Sequence, residues 1–116
     1  MRTNVECIFC RLVRGEIPSD RVYEDDQIIA FRDIQPAAPV HILIIPREHV
    51  ESVSDLREDD AALAGALLLV AGSIAEREGL TADGYRVISN TGESAGQTVS
   101  HLHLHLLGGR PLGALG

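Results

Sequence analysis

Aromatic residues are scarce in this chain: two Phe, two Tyr and no Trp make up 3% of its 116 residues. Since 45% of the residues are hydrophobic, the core must be built mainly from aliphatic side chains. A basic surface is also missing, because the formal net charge is −7. Nucleic-acid-binding proteins draw most of their affinity from such a surface, so we expect no nucleic-acid partner. The length is typical of one domain, residues 1–116, with one modest core.

Long apolar segments are lacking as well. The longest apolar stretch, Ala61–Ala75, has 15 residues, whereas a helix needs ~20 to span a bilayer. The polar segment Met1–Glu6 does not resemble a signal peptide. We therefore expect a cytoplasmic protein with no membrane partner.

One segment alternates histidine with leucine: His101, His103 and His105 are separated by Leu102 and Leu104. Side chains of a strand change face at every residue, so a strand over residues 101–107 puts three imidazoles on one face and the leucines on the other. A helix would bring only two of the histidines together and would scatter the leucines. Imidazoles are poor core residues, so we expect the histidine face to be a site open to a ligand.

Such a row of imidazoles supports two chemistries. Neutral imidazole is a common ligand for zinc and other transition metals. Alternatively, one ring attacks a phosphorus atom while its neighbours bind the phosphate oxygens. The middle ring, His103, is then the best-placed nucleophile because it has a neighbour on each side. Its other nitrogen must donate a proton to an acceptor, most simply a backbone carbonyl.

The remaining chain reads as strands around one short and one long helix, which predicts an α+β domain with a mainly antiparallel sheet. The short helix is predicted over Cys7–Arg14, ended by Gly15. The predicted strands are 22–24, 27–32, 41–45, 86–90 and 101–107. The long helix is expected to begin at an Asp55 cap, with Glu58 three residues on, and to end at Gly79.

The long helix carries no charge between Asp60 and Glu76. A helix with one face in water should show a polar stripe there. Either this helix lies deep in the core of its own chain, or a second subunit packs on it. A chain of this length with a single long helix can hardly cover it alone, which favours a homodimer.

Segments along nearly the whole chain match one known pattern, in order and at compatible spacing. They are Ile8-Phe9, Glu16–Ser19, Phe31–Ile34, Ala38–Pro46, Asp83–Arg86, Gly96-Gln97 and the triad followed by Gly108–Pro111. Together they resemble the histidine triad (HIT) superfamily, and more narrowly its nucleotide-binding branch. This resemblance implies a five-stranded sheet that joins its counterpart across a homodimer.

The resemblance also implies an activity: hydrolysis of nucleoside 5′-phosphoramidates and acyl- or aminoacyl-adenylates to the nucleoside monophosphate. The intermediate would be a nucleotidyl group bonded to His103. His101 and His105 would contact the phosphate, His41 would complete a histidine tetrad, and the Thr98 hydroxyl would lie near the leaving group. No cofactor would be required. The alternative class is a nucleotide- or metal-binding regulatory protein whose hydrolysis is incidental.

Contacts to a purine nucleotide follow from the same resemblance. Asp33 would accept hydrogen bonds from the ribose hydroxyls, and apolar residues would line the base pocket. These apolar residues are Ile8, Phe9, Leu12, Ile17 and Ile34, and further contacts fall on Asn90, Gly96, Gln97 and Thr98. The loop from Asn90 to Thr98 lacks the Gly-Lys-Ser/Thr ending of a P-loop, but its backbone N–H groups could cradle an anion.

Two features depart from the family pattern. Ser100 stands where an aromatic residue is common, and the chain ends at Gly116 where relatives often continue. We expect both to affect which leaving group is accepted.

The two cysteines form a Cys-x-x-Cys pair, Cys7 and Cys10. Outside secreted proteins, such a pair more often binds metal or acts in redox chemistry than forms a structural disulfide. The resemblance adds His49 and His101, which with the cysteines match a four-ligand zinc site of some bacterial members. A closed Cys2His2 shell would be structural. The alternatives are two reduced thiols in a small helix or, less favoured, a redox pair without a preceding thioredoxin-like strand.

Overall fold

The computed structural model describes residues 2–115, which form a five-stranded sheet with a helix on each face. The strands are β1 (Arg21–Glu24), β2 (Ile28–Arg32), β3 (Val40–Pro46), β4 (Tyr85–Ile88) and β5 (Leu104–Gly108), and the helices are α1 (Ile8–Val13) and α2 (Ala61–Arg77). The strand order is β1-β2-β3-β5-β4, and every neighbouring pair is antiparallel. The predicted α+β class is confirmed.

Both faces of the central strands are buried, which explains their nearly continuous apolar sequence. Even-numbered residues of β2 and β3, such as Ile28 and Ile44, pack with α2 in the larger core. Odd-numbered residues, such as Phe31 and Leu43, pack with α1 in a smaller cluster that includes Phe9. The sheet face that packs against α1 therefore carries an apolar cluster, and this cluster lies beside the side chains that β5 presents on the same face.

The last strand is shorter than predicted. It begins at Leu104 and not at His101, because only residues 104–108 pair with β3 and β4. The alternation nevertheless extends beyond the paired segment, since Leu102, Leu104 and Leu106 all pack in the α2 core. The histidine face is also less open than expected: His101 and His103 are buried, while His105 is partly exposed.

The start of α2 was wrongly predicted. Two short 3-10 turns, Val53–Asp55 and Glu58–Asp60, precede the helix, and Asp60 is its N-cap residue. Leu56 between them is extended, with φ −70° and ψ 137°, so a helix beginning at Asp55 is interrupted at once. The predicted end is confirmed, because Gly79 follows the C-cap residue with a φ of +75°, a conformation that favours glycine.

Helix α2, uncharged from Ala61 to Ala75, has one buried and one exposed face. Leu63, Leu67, Val70 and Ile74 face the core, whereas Leu69 is 77% exposed. Within residues 2–115, no helix has both the length and the apolar character that crossing a membrane demands.

Candidate active site

A cavity of about 260 Å³ lies between α1 and the sheet, beside the carboxyl-terminal histidines. Its lining residues are Ile8, Phe9, Leu12, Ile17, Pro18, Ser19, Phe31, Asp33, Ile34, Leu43, Thr98, Val99, His103 and His105. Most of this wall is apolar, and the two histidines and one carboxylate supply its ionisable groups. All five residues predicted for an apolar base pocket line this cavity.

The ring of His103 is held in one orientation from two sides. Its Nδ1 lies 2.6 Å from the main-chain oxygen of His101, so Nδ1 carries the proton and donates it to that carbonyl. The ring of Phe9 packs edge-on against it, with centroids 5.3 Å apart. The predicted hydrogen bond to a backbone carbonyl is therefore confirmed. It leaves the lone pair of His103 on Nε2.

A chain of hydrogen bonds fixes the tautomers of the other two rings. The backbone N–H of Ala37 donates to Nδ1 of His41 at 3.0 Å, so neutral His41 carries its proton on Nε2. That Nε2 lies 2.9 Å from Nδ1 of His105 and donates to it. His105 must then carry its own proton on Nε2, as a donor available to a ligand in the cavity.

Asp33 lies beside this chain. Its Oδ1 accepts the backbone N–H of Gln35 at 2.8 Å, and its Oδ2 lies 3.5 Å from Nε2 of His41. The backbone N–H of Asp33 donates to the carbonyl of His41. These contacts hold the carboxylate at the rim of the cavity while leaving its outer lone pairs available to hydroxyl donors.

Burial keeps the histidine pair uncharged. It lowers the pKa of His41, which Asp33 offsets in part. Burial, followed by the neighbouring His103 and His41, lowers the pKa of His105 to about 4. Both rings are therefore neutral near pH 7, as the hydrogen-bond chain requires.

These lowered pKa values predict a loss of stability in mild acid. Between pH 6.5 and about 4, His105 is protonated in the unfolded chain and not in the folded chain. The free energy of unfolding therefore decreases as the pH is lowered through this range. We expect the Tm, measured by circular dichroism with chelator present, to fall from pH 6.5 to 5. His105→Asn should reduce that slope, leaving the part due to His41 and His101, whose pKa values burial also lowers. Equal slopes in the two proteins would show that His105 is not the cause.

Part of the predicted loop lies away from the cavity. Thr98 lines it, but Asn90, Gly96 and Gln97 do not. The side chain of Gln97 braces the loop: its amide nitrogen donates to the carbonyls of Glu51 and Val99, and its oxygen accepts the N–H of Gly92. Both protons of the Gln97 amide nitrogen are thus used, so donation from this side chain to a nucleotide would require breaking one of these bonds.

A second cavity, of about 320 Å³, shares the wall formed by Ile8, Thr98 and Val99. Its remaining lining residues are Asn4, Glu6, Cys7, His49 and Ser100. Its wall is more polar than that of the first cavity. Thr98 faces both.

The predicted metal ligands converge next to this second cavity. Sulfur atoms of Cys7 and Cys10 and Nδ1 atoms of His49 and His101 lie 3.3 to 3.6 Å apart in the four pairs that touch. Ligand atoms around a tetrahedral zinc ion, with bonds of about 2.0–2.3 Å, are separated by similar distances. Nε2 of His101 donates to the carbonyl of Pro46 at 2.8 Å, which leaves Nδ1 as the lone-pair atom facing the cluster. The set of four donor atoms and the tautomer of His101 both fit a structural metal site.

The structure does not support the contact with phosphate that was expected of His101. Its Nε2 is engaged by Pro46 and its Nδ1 faces the sulfur atoms, and His101 does not line the cavity that holds His103. The three triad rings therefore divide between two sites: His103 and His105 line the first cavity, whereas His101 faces the metal ligands. This separation also argues against a metal sensor that uses the whole triad as ligands.

Asp33, His41 and His105 also lie within metal-binding distance of one another. Their hydrogen bonds argue against a metal there, because Nε2 of His41 carries a proton while Nδ1 accepts from Ala37. A cation would have to displace that proton from an already neutral ring. We interpret this group as a hydrogen-bond chain.

Several lining residues were not predicted as site residues: Pro18, Ser19, Phe31, Leu43 and Val99. Phe31 and Leu43 are cross-strand partners on β2 and β3. Strand alternation was a usable signal: Leu43 alternates with Ile42 and Ile44, which puts Leu43 and its partner Phe31 on the face opposite α2.

Taken together, an antiparallel sheet, a carbonyl-oriented histidine and an apolar cavity with one carboxylate define a histidine-based site for nucleotide chemistry. The chain belongs to the HIT domain family, whose model matches residues 14–112. The resemblance drawn from the sequence is confirmed.

Several proteins and solved structures of this family are similar to this chain. It is 53% identical over 110 residues to the purine nucleoside phosphoramidase of Escherichia coli K12, a match covering 95% of this chain and 92% of the relative. Among solved structures, a HIT family hydrolase from Clostridium thermocellum is 47% identical, with a TM-score of 0.93 and 97% of each chain covered. One from Legionella pneumophila is 48% identical with a TM-score of 0.90, over 91% of this chain and 95% of that one.

Proposed function

We propose that this chain is a purine nucleoside 5′-phosphoramidase that also accepts acyl- and aminoacyl-adenylates. The observation that carries the proposal is the hydrogen bond from Nδ1 of His103 to the carbonyl of His101, which frees Nε2 as a nucleophile in the wall of an apolar cavity. The purine preference rests on the 53% identity to a protein named for that activity.

The reaction takes two displacements at phosphorus. Nε2 of His103 attacks the phosphorus, forming a P–N bond to the ring, while the bond to the substrate nitrogen breaks and that nitrogen takes up a proton from solvent as it leaves. Water then attacks the same phosphorus and returns a proton to solvent, which releases His103 and gives the nucleoside monophosphate. For an adenylate, the leaving atom is a carboxylate oxygen. In-line geometry and charge relief on the phosphate oxygens are the main requirements.

His105 supplies the charge relief. Its Nε2–H, fixed by the donation from His41 to its Nδ1, is a preorganised donor toward a non-bridging oxygen. His41 acts through His105 and is a positioning residue. The nucleoside binds in the apolar cavity, with Asp33 accepting from the ribose hydroxyls and Phe9, Phe31 and Leu43 around the base.

The leaving group is assigned to the second cavity, because that cavity adjoins the first at Thr98 and its wall is the more polar of the two. Ser100 lies in this wall at the position where the family pattern has an aromatic residue. A smaller side chain leaves room for a bulkier leaving group. The contacts expected of Asn90, Gly96 and Gln97 remain proposals.

Steady-state turnover tests the proposed activity. The purified zinc-loaded chain should convert adenosine 5′-phosphoramidate to AMP and ammonia, and the guanosine analogue at a comparable rate, with no free metal ion added to the buffer. ATP serves as the control and should remain intact. If AMP binds but no phosphoramidate is cleaved, the chain is a nucleotide-binding regulator instead.

We also propose that Cys7, Cys10, His49 and His101 hold a structural zinc ion that plays no part in the chemical step. The fit of the four donor atoms supports this assignment. Thiol ligands must stay reduced, which agrees with a cytoplasmic protein.

A homodimer is the third part of the proposal. Leu68, 61% exposed on α2, borders an apolar groove of about 280 Å³ that reaches Val87 on the edge strand β4. An exposed apolar groove next to an unpaired sheet edge fits a second copy of the same chain, which buries both.

The dimer predicts the behaviour of a charge variant. Leu68→Arg should convert the dimer to a folded monomer, because two guanidinium groups would be buried without partners at the interface. Sedimentation at micromolar concentration measures the mass, with Leu115→Arg, at an exposed terminal position, as the control. A wild-type mass near 12.5 kDa would contradict the dimer.

A further inference from the structure

His101 belongs to two sites at once. Its ring faces the metal cluster, with Nδ1 3.4 Å from the sulfur of Cys7 and 3.3 Å from Nδ1 of His49. Its main-chain oxygen accepts the proton of Nδ1 of His103. One residue therefore joins the proposed metal site to the proposed nucleophile.

The backbone around His101 depends on that ring for its placement. Residues 101–103 precede β5 and lack its ladder of hydrogen bonds. The main chain is tied by two bonds, from the N–H of His101 to Val99 and from the N–H of Leu102 to Val50. The carbonyl that orients His103 thus lies in a short irregular segment. Besides these two bonds, that segment is anchored by the buried Leu102 and by the completely buried His101 ring, whose Nε2 donates to the carbonyl of Pro46.

Phe9 forms a second connection between the two sites. It lies between Cys7 and Cys10 in the chain, and its ring packs edge-on against His101 and His103, with centroids 5.9 and 5.3 Å apart. Any change in the position of the cysteines moves the start of α1 and this ring. Phe9 also lines the nucleotide cavity, so the same movement would reach the base pocket.

We propose that His101 is a positioning residue, an inference that rests on the proposed function. Through His101, occupancy of the Cys7-Cys10-His49-His101 site sets the orientation of the nucleophile His103. The ligated ring fixes the backbone of residue 101, and its carbonyl selects the Nδ1–H tautomer of His103. Loss of the metal loosens the carbonyl, so a fraction of His103 adopts the tautomer whose Nε2 is protonated and unable to attack.

The kinetic test compares zinc-loaded and chelated wild type with Cys10→Ser. We expect kcat for adenosine 5′-phosphoramidate to fall about 10-fold without metal, the size of effect typical of groups that support reactive residues. KM and AMP affinity should change less than about twofold. Zinc should restore kcat in the wild type and not in the variant. Ile74→Val, in the α2 core, is the control for lost stability alone and should keep its kcat.

A second readout does not depend on turnover. The 15N NMR spectrum of labelled histidine should show His103 as the Nδ1–H tautomer with zinc and as a mixture after chelation. An unchanged kcat together with an unchanged tautomer, in a folded chain shown by metal analysis to be zinc-free, would overturn the proposal. So would an equal kcat loss in Ile74→Val. If the chelated chain unfolds, cadmium replaces zinc: the larger ion should lower kcat and alter the His103 signal, and identical values would refute the coupling.

The proposed function can fail separately. In that case the zinc-loaded chain shows no turnover at all, although the His103 tautomer still responds to metal. Turnover that is present but indifferent to metal refutes only the coupling.

Discussion

His103→Ala is expected to lower kcat for adenosine 5′-phosphoramidate by about 10⁴-fold or more. Removal of a covalent nucleophile leaves only substrate binding and charge stabilisation, and losses of that order follow in other enzymes. AMP affinity should change little, because the base cavity and Asp33 stay in place. The measurements are AMP formation by chromatography and AMP binding by calorimetry.

Asp26→Asn, on an exposed turn remote from the cavity, is the matched control and should keep wild-type turnover. His105→Asn should lose less activity than His103→Ala, since it removes a donor and not the reacting atom. Turnover of His103→Ala within tenfold of wild type would mean that another group, or water directly, attacks phosphorus.

Cys10→Ser is expected to abolish zinc binding and to lower the Tm of the zinc-loaded protein by about 10 °C or more. Zinc that binds only the folded chain adds its binding energy to folding, and ~3 kcal/mol corresponds to a Tm change of that order. Cys10 is almost fully buried against His49 and His101, so serine leaves a gap in the shell. Thermal melts and metal analysis measure both effects.

A thermodynamic cycle supplies the control for this prediction. Chelator should lower the Tm of the wild type to nearly that of Cys10→Ser and should leave the variant unaffected. An equal response to chelator in both proteins would show that these residues do not hold the metal that stabilises the fold.

The alternation of histidine and leucine predicted more than a strand. It correctly placed the leucines against α2, and the hydrogen bond expected from His103 to a backbone carbonyl is also present. It did not predict that His101 and His103 belong to different sites. That separation depends on Cys7 and His49, which are remote in sequence and meet His101 only in the folded chain.

Other errors have similar causes. Asp55 and Glu58 have the spacing of a capping box, but the extended Leu56 breaks the helix between them, and Ser52 caps the first short turn. Gln97 lies near the site in sequence, yet its amide is used by Glu51, Gly92 and Val99. Sequence spacing indicates which side chains are available, whereas tertiary partners decide which of them reach a ligand.

The most direct test is chemical identification of the group that bonds to phosphorus. The zinc-loaded enzyme is mixed with a slowly turned-over adenylate, quenched in alkali, digested and analysed by mass spectrometry. The account predicts one adenylylated residue, the imidazole at position 103, formed within the first turnover. Product AMP appearing in that turnover with no modified histidine, or with the label on residue 105, would contradict it.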